Sequence, residues 1–148
     1  MSKSSAPHGV RLRAMASIRK EFSLPVPPAA AWAAIRDVGA VHTRLAQGFV
    51  TDCRMDGPDR IVTFANGLTA RELIVDLDDA ARRLAYSARS ERLTHHSASF
   101  QVFADGDGCR IVWLADVLPH EAAAPVGQMM DAGVAAMRET LDSHSRPA

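Results

Sequence analysis

Between residues 49 and 118 the chain offers no helical period, only six short extended runs cut by turn signals. The runs fall at about 49–55, 60–66, 68–77, 82–89, 95–104 and 109–118. Their separators are "DGPD", "NG", "DDAA", "SERLT" and "DGDG". Each spacer is too short for a crossover between parallel strands, so neighbours must pair antiparallel. Asn66-Gly67 is the strongest turn signal, because a two-residue type I′ hairpin needs positive φ at both positions. The pattern predicts an antiparallel meander.

The flanks close this meander. In "SIRKEFSL", Ile18, Phe22 and Leu24 alternate with Ser17, Arg19, Glu21 and Ser23, a strand period. Lys20 interrupts the apolar face, as edge strands often allow. Pro25 stops the strand, since proline cannot donate to a ladder. Pro27 and Pro28 then hold an extended elbow, and Pro28 can open a helix, where a missing N–H costs nothing. Residues 29–36 have high helix propensity, with Trp32 and Ile35 on one face. A second short helix is expected at 38–46, stopped by Gly48. At the other end Val126, Met130, Gly133, Val134, Met137 and Leu141 recur at helical spacing. They mark a long amphipathic helix with Pro125 in or near its first turn.

The 148 residues suit one domain with a real core. We expect a disordered leader at 1–14, the domain at 15–143 and a tail at 144–148. Seventeen basic and seventeen acidic residues cancel, so no basic surplus points to nucleic acid. No apolar run approaches the roughly 20 residues that span a bilayer. The N-terminal stretch lacks the apolar segment of a secretory signal. Cys53 and Cys109 form no CxxC motif and read as buried free thiols of a reducing, cytoplasmic compartment.

The hairpins allow a register. If each loop is free of bulges, residue 55 faces 60, 65 faces 68, 77 faces 82 and 104 faces 109. One face then carries Phe49, Cys53, Met55, Val62, Phe64, Arg71, Leu73, Val75, Leu77, Leu84 and Tyr86. The last hairpin adds Ala98, Phe100, Val102, Ile111, Trp113, Ala115 and Val117. This face is expected to be concave and covered by the last helix through Met130, Val134 and Met137. Arg71 and His96 would point inward and His95 outward. A single bulge would exchange Arg71 for Glu72.

Three segments carry a family resemblance. "LPVPPAAAWAAIRDVGAV", "GLTARELIVDLDDAARRLAYS" and "GCRIVWLADVLP" resemble the opening, middle hairpin and last strand of the SRPBCC superfamily. This group includes START-related, polyketide-cyclase-like and pollen-allergen-like proteins. The resemblance runs from about residue 17 to 141. It implies a helix-grip fold of class α+β, a seven-stranded antiparallel sheet wrapped around the C-terminal helix. It also implies a cavity for hydrophobic or amphipathic molecules. Two departures stand out. Relatives carry a Trp and a Pro where this chain has "VHTRLAQGF". They also tend to be polar where Leu73 stands, with the acid at Glu72 facing the cavity.

The candidate chemistry follows from these placements. His96 could act as a general base, because an imidazole titrates near neutrality. Tyr86 could donate a proton. Arg71 could pair with a ligand carboxylate or enolate, unless Glu72 takes its place. Candidate cavity residues are Phe64, Leu73, Leu84, Phe100, Trp113, Met130, Val134 and Met137, with Met55 and Met129 adding adaptable lining. Adjacent strand residues point to opposite faces, so His95-His96 does not suggest a metal, and no cofactor motif is present. The leading expectation is a binder of a small hydrophobic or amphipathic ligand, with catalysis left open. The alternatives are a polyketide cyclase or dehydratase working by proton transfer, and a protein–protein module with a filled cavity. A homodimer along an edge strand is a further expectation.

Overall fold

The computed structural model describes residues 16–145; the expected leader and the end of the tail lie outside the described residues. Seven strands form one antiparallel sheet in the order β1-β7-β6-β5-β4-β3-β2. They are β1 (Ser17–Leu24), β2 (Val50–Asp56), β3 (Asp59–Phe64), β4 (Thr69–Asp78), β5 (Arg83–Arg89), β6 (His95–Asp105) and β7 (Gly108–Leu118). Helix α1 (Pro28–Arg36) follows β1, and α2 (Ala123–Ser145) closes the chain after a single 3₁₀ turn at His120–Ala122. The core is the concave side of the sheet, sealed by α1 and α2.

β1 is an edge strand. Its inner residues Phe22 and Leu24 are buried, while Arg19 and Glu21 are exposed. Lys20 reaches α2 and lies 2.8 Å from Asp131, so the charge on the apolar face is paired. Pro28 sits in the first turn of α1. The indole N–H of Trp32 donates to Asp79 Oδ1 at 2.8 Å, and Arg36 Nε donates to the same oxygen at 2.7 Å. Arg36, then Trp32, holds the Asp79 carboxyl below its ordinary range. The elbow and helix α1 are thereby tied to the β4–β5 turn. The second short helix is a single π-helical turn at Val41–Leu45, which buries Val41 and Leu45.

The register corrects two expectations. Met55 faces Arg60 and Ala104 faces Cys109, as the short loops require. The β3–β4 hairpin differs: Val62 faces Ala70 and Thr63 faces Thr69. Its loop spans three residues, 65–67, because Gly67 alone adopts positive φ, at 87°. Phe64 N–H donates to the Leu68 carbonyl, and Asn66 Oδ1 accepts from Leu68 N–H. The extra residue flips β4, since strand side chains alternate with period two. A bulge between Ile74 and Asp76 then flips it back, and Leu77 faces Leu84, which corrects the expected pairing of 77 with 82. Ala70, Glu72, Ile74 and Leu77 therefore point inward. Arg71, Leu73 and Val75 do not, and Val75 is 66% exposed.

Candidate binding cavity

Three neighbouring strands place an aromatic column on the concave face. Tyr86 (β5), Phe100 (β6) and Trp113 (β7) stack in sequence. Phe100 lies 6.1 Å from Tyr86 and 4.8 Å from Trp113 between ring centroids, and both pairs are within 19° of parallel. Trp113 Nε1 donates to Tyr86 Oη at 3.1 Å. Helix α2 can lie on this column because position 133 is Gly. A Cβ there would fall 2.9 Å from Trp113 Cζ3 and 3.2 Å from Phe49 Cε2.

Beneath Tyr86 lies a buried ion pair. Arg60 Nε donates to Glu72 Oε1 at 2.7 Å, with the two side chains only 3% and 10% exposed. Arg60 also donates to the Val38 carbonyl at 3.2 Å, and its guanidinium sits 5.2 Å from the Tyr86 ring centroid. In so dry a setting a charge must be paired to be tolerated. Burial first, and the Glu72 charge second, push the Tyr86 phenol well above its ordinary pKa.

Between the column and α2 is a cavity of about 140 Å³. Phe64, Tyr86 and Trp113 form its floor, Val126, Met129 and Met130 its roof, and Glu72 and His96 supply polar groups. A smaller void of about 40 Å³ shares Phe64, Glu72, Tyr86 and Trp113 and extends past Phe100 and Met137. The His96 ring lies 6.2 Å from that of Tyr86. Its Nδ1 is buried and has no hydrogen-bond partner among the described residues. Burial, followed by the neighbouring His95, lowers the His96 pKa. Burial and the unpartnered Nδ1 both disfavour the charged imidazolium.

The sequence candidates divide on this geometry. Tyr86, Glu72 and His96 converge on the cavity. Arg71 is corrected to the outer face, where it lies 2.6 Å from Asp56 and 3.0 Å from Asp59. Leu73 is corrected with it, for the same loop residue turns both outward. Leu84 is buried in the core, and Val134 packs against that core without lining the cavity. Met55 is 43% exposed and lies beside Gly39, away from the cavity. Arg60 was not singled out from the sequence. Its parity with Val62 and Phe64 was a signal for it.

The architecture, with a cavity between the sheet and the C-terminal helix, defines a helix-grip protein. The chain belongs to the family described as polyketide cyclase / dehydrase and lipid transport, which matches residues 15–143. Solved structures of the same fold include an uncharacterised protein from Bacillus thuringiensis. Its TM-score is 0.75 at 17% identity, over 85% of this chain and 98% of that one. A Thermobifida fusca protein gives 0.70 at 26% identity, over 88% and 93%. Norcoclaurine synthase from Thalictrum flavum, a point mutant held with a transition-state analogue, gives 0.69 at 18% identity, over 89% and 97%. No functionally curated protein matches the chain in sequence. No helix among the described residues is long and apolar enough to cross a membrane.

Proposed function

We propose that this protein binds a small hydrophobic or amphipathic molecule in the cavity between the sheet and α2. The cavity itself carries the reading: it is apolar over most of its wall, and about 140 Å³ in volume. A cavity of roughly 150 Å³ lined by apolar side chains suffices to hold benzene. The ligand group that enters is therefore the size of one ring. A fused multi-ring polyketide or a long acyl chain would need α2 to move. Buried, unpaired Cys53 and Cys109 suit a reducing compartment such as the cytoplasm.

Native mass spectrometry of protein purified without denaturation tests the binding reading. A discrete extra mass, or a rise in melting temperature with monocyclic aromatics, is the expected result. Bare protein with no shift across such a panel would favour the filled-cavity interaction module.

A second reading, a cyclase or dehydratase, draws on the convergence of Tyr86, Glu72 and His96 on one cavity. Arg71 has no part in it. In this reading His96 exchanges a proton with the ligand and Tyr86 donates to a carbonyl oxygen. A His96→Ala variant that binds ligand but does not turn it over would favour this reading.

A further inference from the structure

Two polar side chains line the cavity with hydrogen-bonding capacity unmet. Glu72 Oε1 takes the bond from Arg60, while Oε2 has no partner among the described residues. His96 has no hydrogen-bond partner at either ring nitrogen among the described residues. The other hydroxyls of the wall are accounted for. Thr69 and Ser90 are exposed, and Tyr86 is engaged by Trp113. A polar group withdrawn from water without a partner costs free energy, and a ligand that supplies the partner recovers it.

The sheet sets these two groups on either side of a small residue. Glu72 on β4 stands opposite Ala88 on β5. On the other flank the β5–β6 ladder pairs Ser87 with Ser97, and one residue further along each strand come Ala88 and His96. β5 lies between β4 and β6, so Ala88 separates the carboxylate from the imidazole. Their backbones are two strand spacings apart, roughly 9–10 Å. Ala88 fills little of that width and itself lines the cavity. Charge narrows the choice of occupant. Glu72 is balanced by Arg60, and no Lys or Arg lines the larger cavity. A ligand carboxylate would meet the Glu72 oxygen with no free cation to offset it, and a ligand cation would add charge to a pair already neutral. We infer that the ligand is a neutral ring carrying a hydroxyl, a phenol in chemical class, seated over Ala88 with its O–H donated to Glu72 and a second hydrogen bond made with His96. A neutral imidazole can give or accept that second bond.

This inference rests on the cavity-binding reading, and the test separates the two. The probes are phenol, toluene and benzoate, which share a ring and differ in one substituent. NMR titration at pH 7 should show phenol binding about tenfold more tightly than toluene, and benzoate more weakly than phenol. A cavity without polar partners would give toluene the advantage, because it would strip the hydroxyl of water and return nothing. In the double variant Arg60→Met/Glu72→Leu the order of phenol and toluene should invert. His96→Leu, which keeps the ion pair, should reduce the phenol advantage about threefold; it decides alone if the double variant does not fold. Toluene binding as tightly as phenol in the unaltered protein, benzoate binding more tightly than phenol, or a phenol advantage left intact by either folded variant would overturn the hydroxyl site while leaving the cavity reading in place. Failure of all three probes to bind would remove the cavity reading, and this inference with it.

Discussion

The indole N–H of Trp113 donates to the hydroxyl oxygen of Tyr86 across 3.1 Å. The bond fixes the phenol by filling an acceptor position, while its own proton meets no acceptor among the described residues. Tyr86→Phe should therefore strand a buried indole donor and cost about 1–3 kcal/mol of stability. Urea denaturation of the two proteins would measure it. An unchanged midpoint would mean that Trp113 finds another partner.

The same phenol makes a pH prediction. Its folded pKa is raised, so above the unfolded value of about 10 the unfolded chain loses a proton that the native chain keeps. Stability from this group is complete below that pH and declines as pH rises further. Alkaline titration followed by phenolate absorbance should show no ionisation of the sole tyrosine before unfolding. A smooth, non-cooperative phenolate signal near pH 10 would contradict its burial.

His96 acts at the opposite limit. Its folded pKa is lowered by burial and then by His95. Below the unfolded value of about 6.5 the unfolded chain takes up a proton that the native ring refuses, so stability falls as pH falls. His96→Leu should flatten this acid limb. NMR titration of the imidazole resonances checks the direction, and a midpoint above 6.5 would refute it.

The Arg60–Glu72 pair should show strong coupling. Arg60→Met alone leaves a buried carboxylate unpaired and should cost about 3–5 kcal/mol. Combining it with Glu72→Leu should recover most of that loss. A double-mutant cycle by denaturation gives the coupling directly. Additive single effects would show that the two charges do not depend on each other.

Gly133→Ala should drive a methyl group against Trp113 and Phe49. Overpacking of this kind costs about 1–3 kcal/mol, and here it presses on Trp113 and Phe49, which line the cavity. The expected result is a lower melting temperature together with weaker binding of monocyclic aromatics. Weaker binding with unchanged stability would mean that Trp113 and Phe49 shift into the cavity without moving the helix.

The strands and helices were legible because their signals are local. Alternation marks β1, the proline elbow marks α1, and the spacing from Val126 to Leu141 marks α2. The site depended on parity, which a single residue can invert. Asn66-Gly67 reads as a two-residue turn, yet only Gly67 takes positive φ, and Ala65 joins the loop. Nothing at Val75 announces a bulge; its apolar side chain argues for the inner face, where it is not found. The resemblance to relatives, with an acid facing the cavity at position 72, pointed correctly against the hairpin register.

The loop residue and the bulge in β4 also determine how this cavity can change. A point substitution alters one wall group at a time. A deletion of Ala70, within β4 between the loop and Arg71, would rotate Glu72 out and Arg71 in, replacing an anion by a cation without altering either side chain. Arg60 would then have a like charge beside it in place of its partner. Divergence by insertion and deletion in this hairpin is thus a route by which one scaffold could pass between ligands of opposite charge.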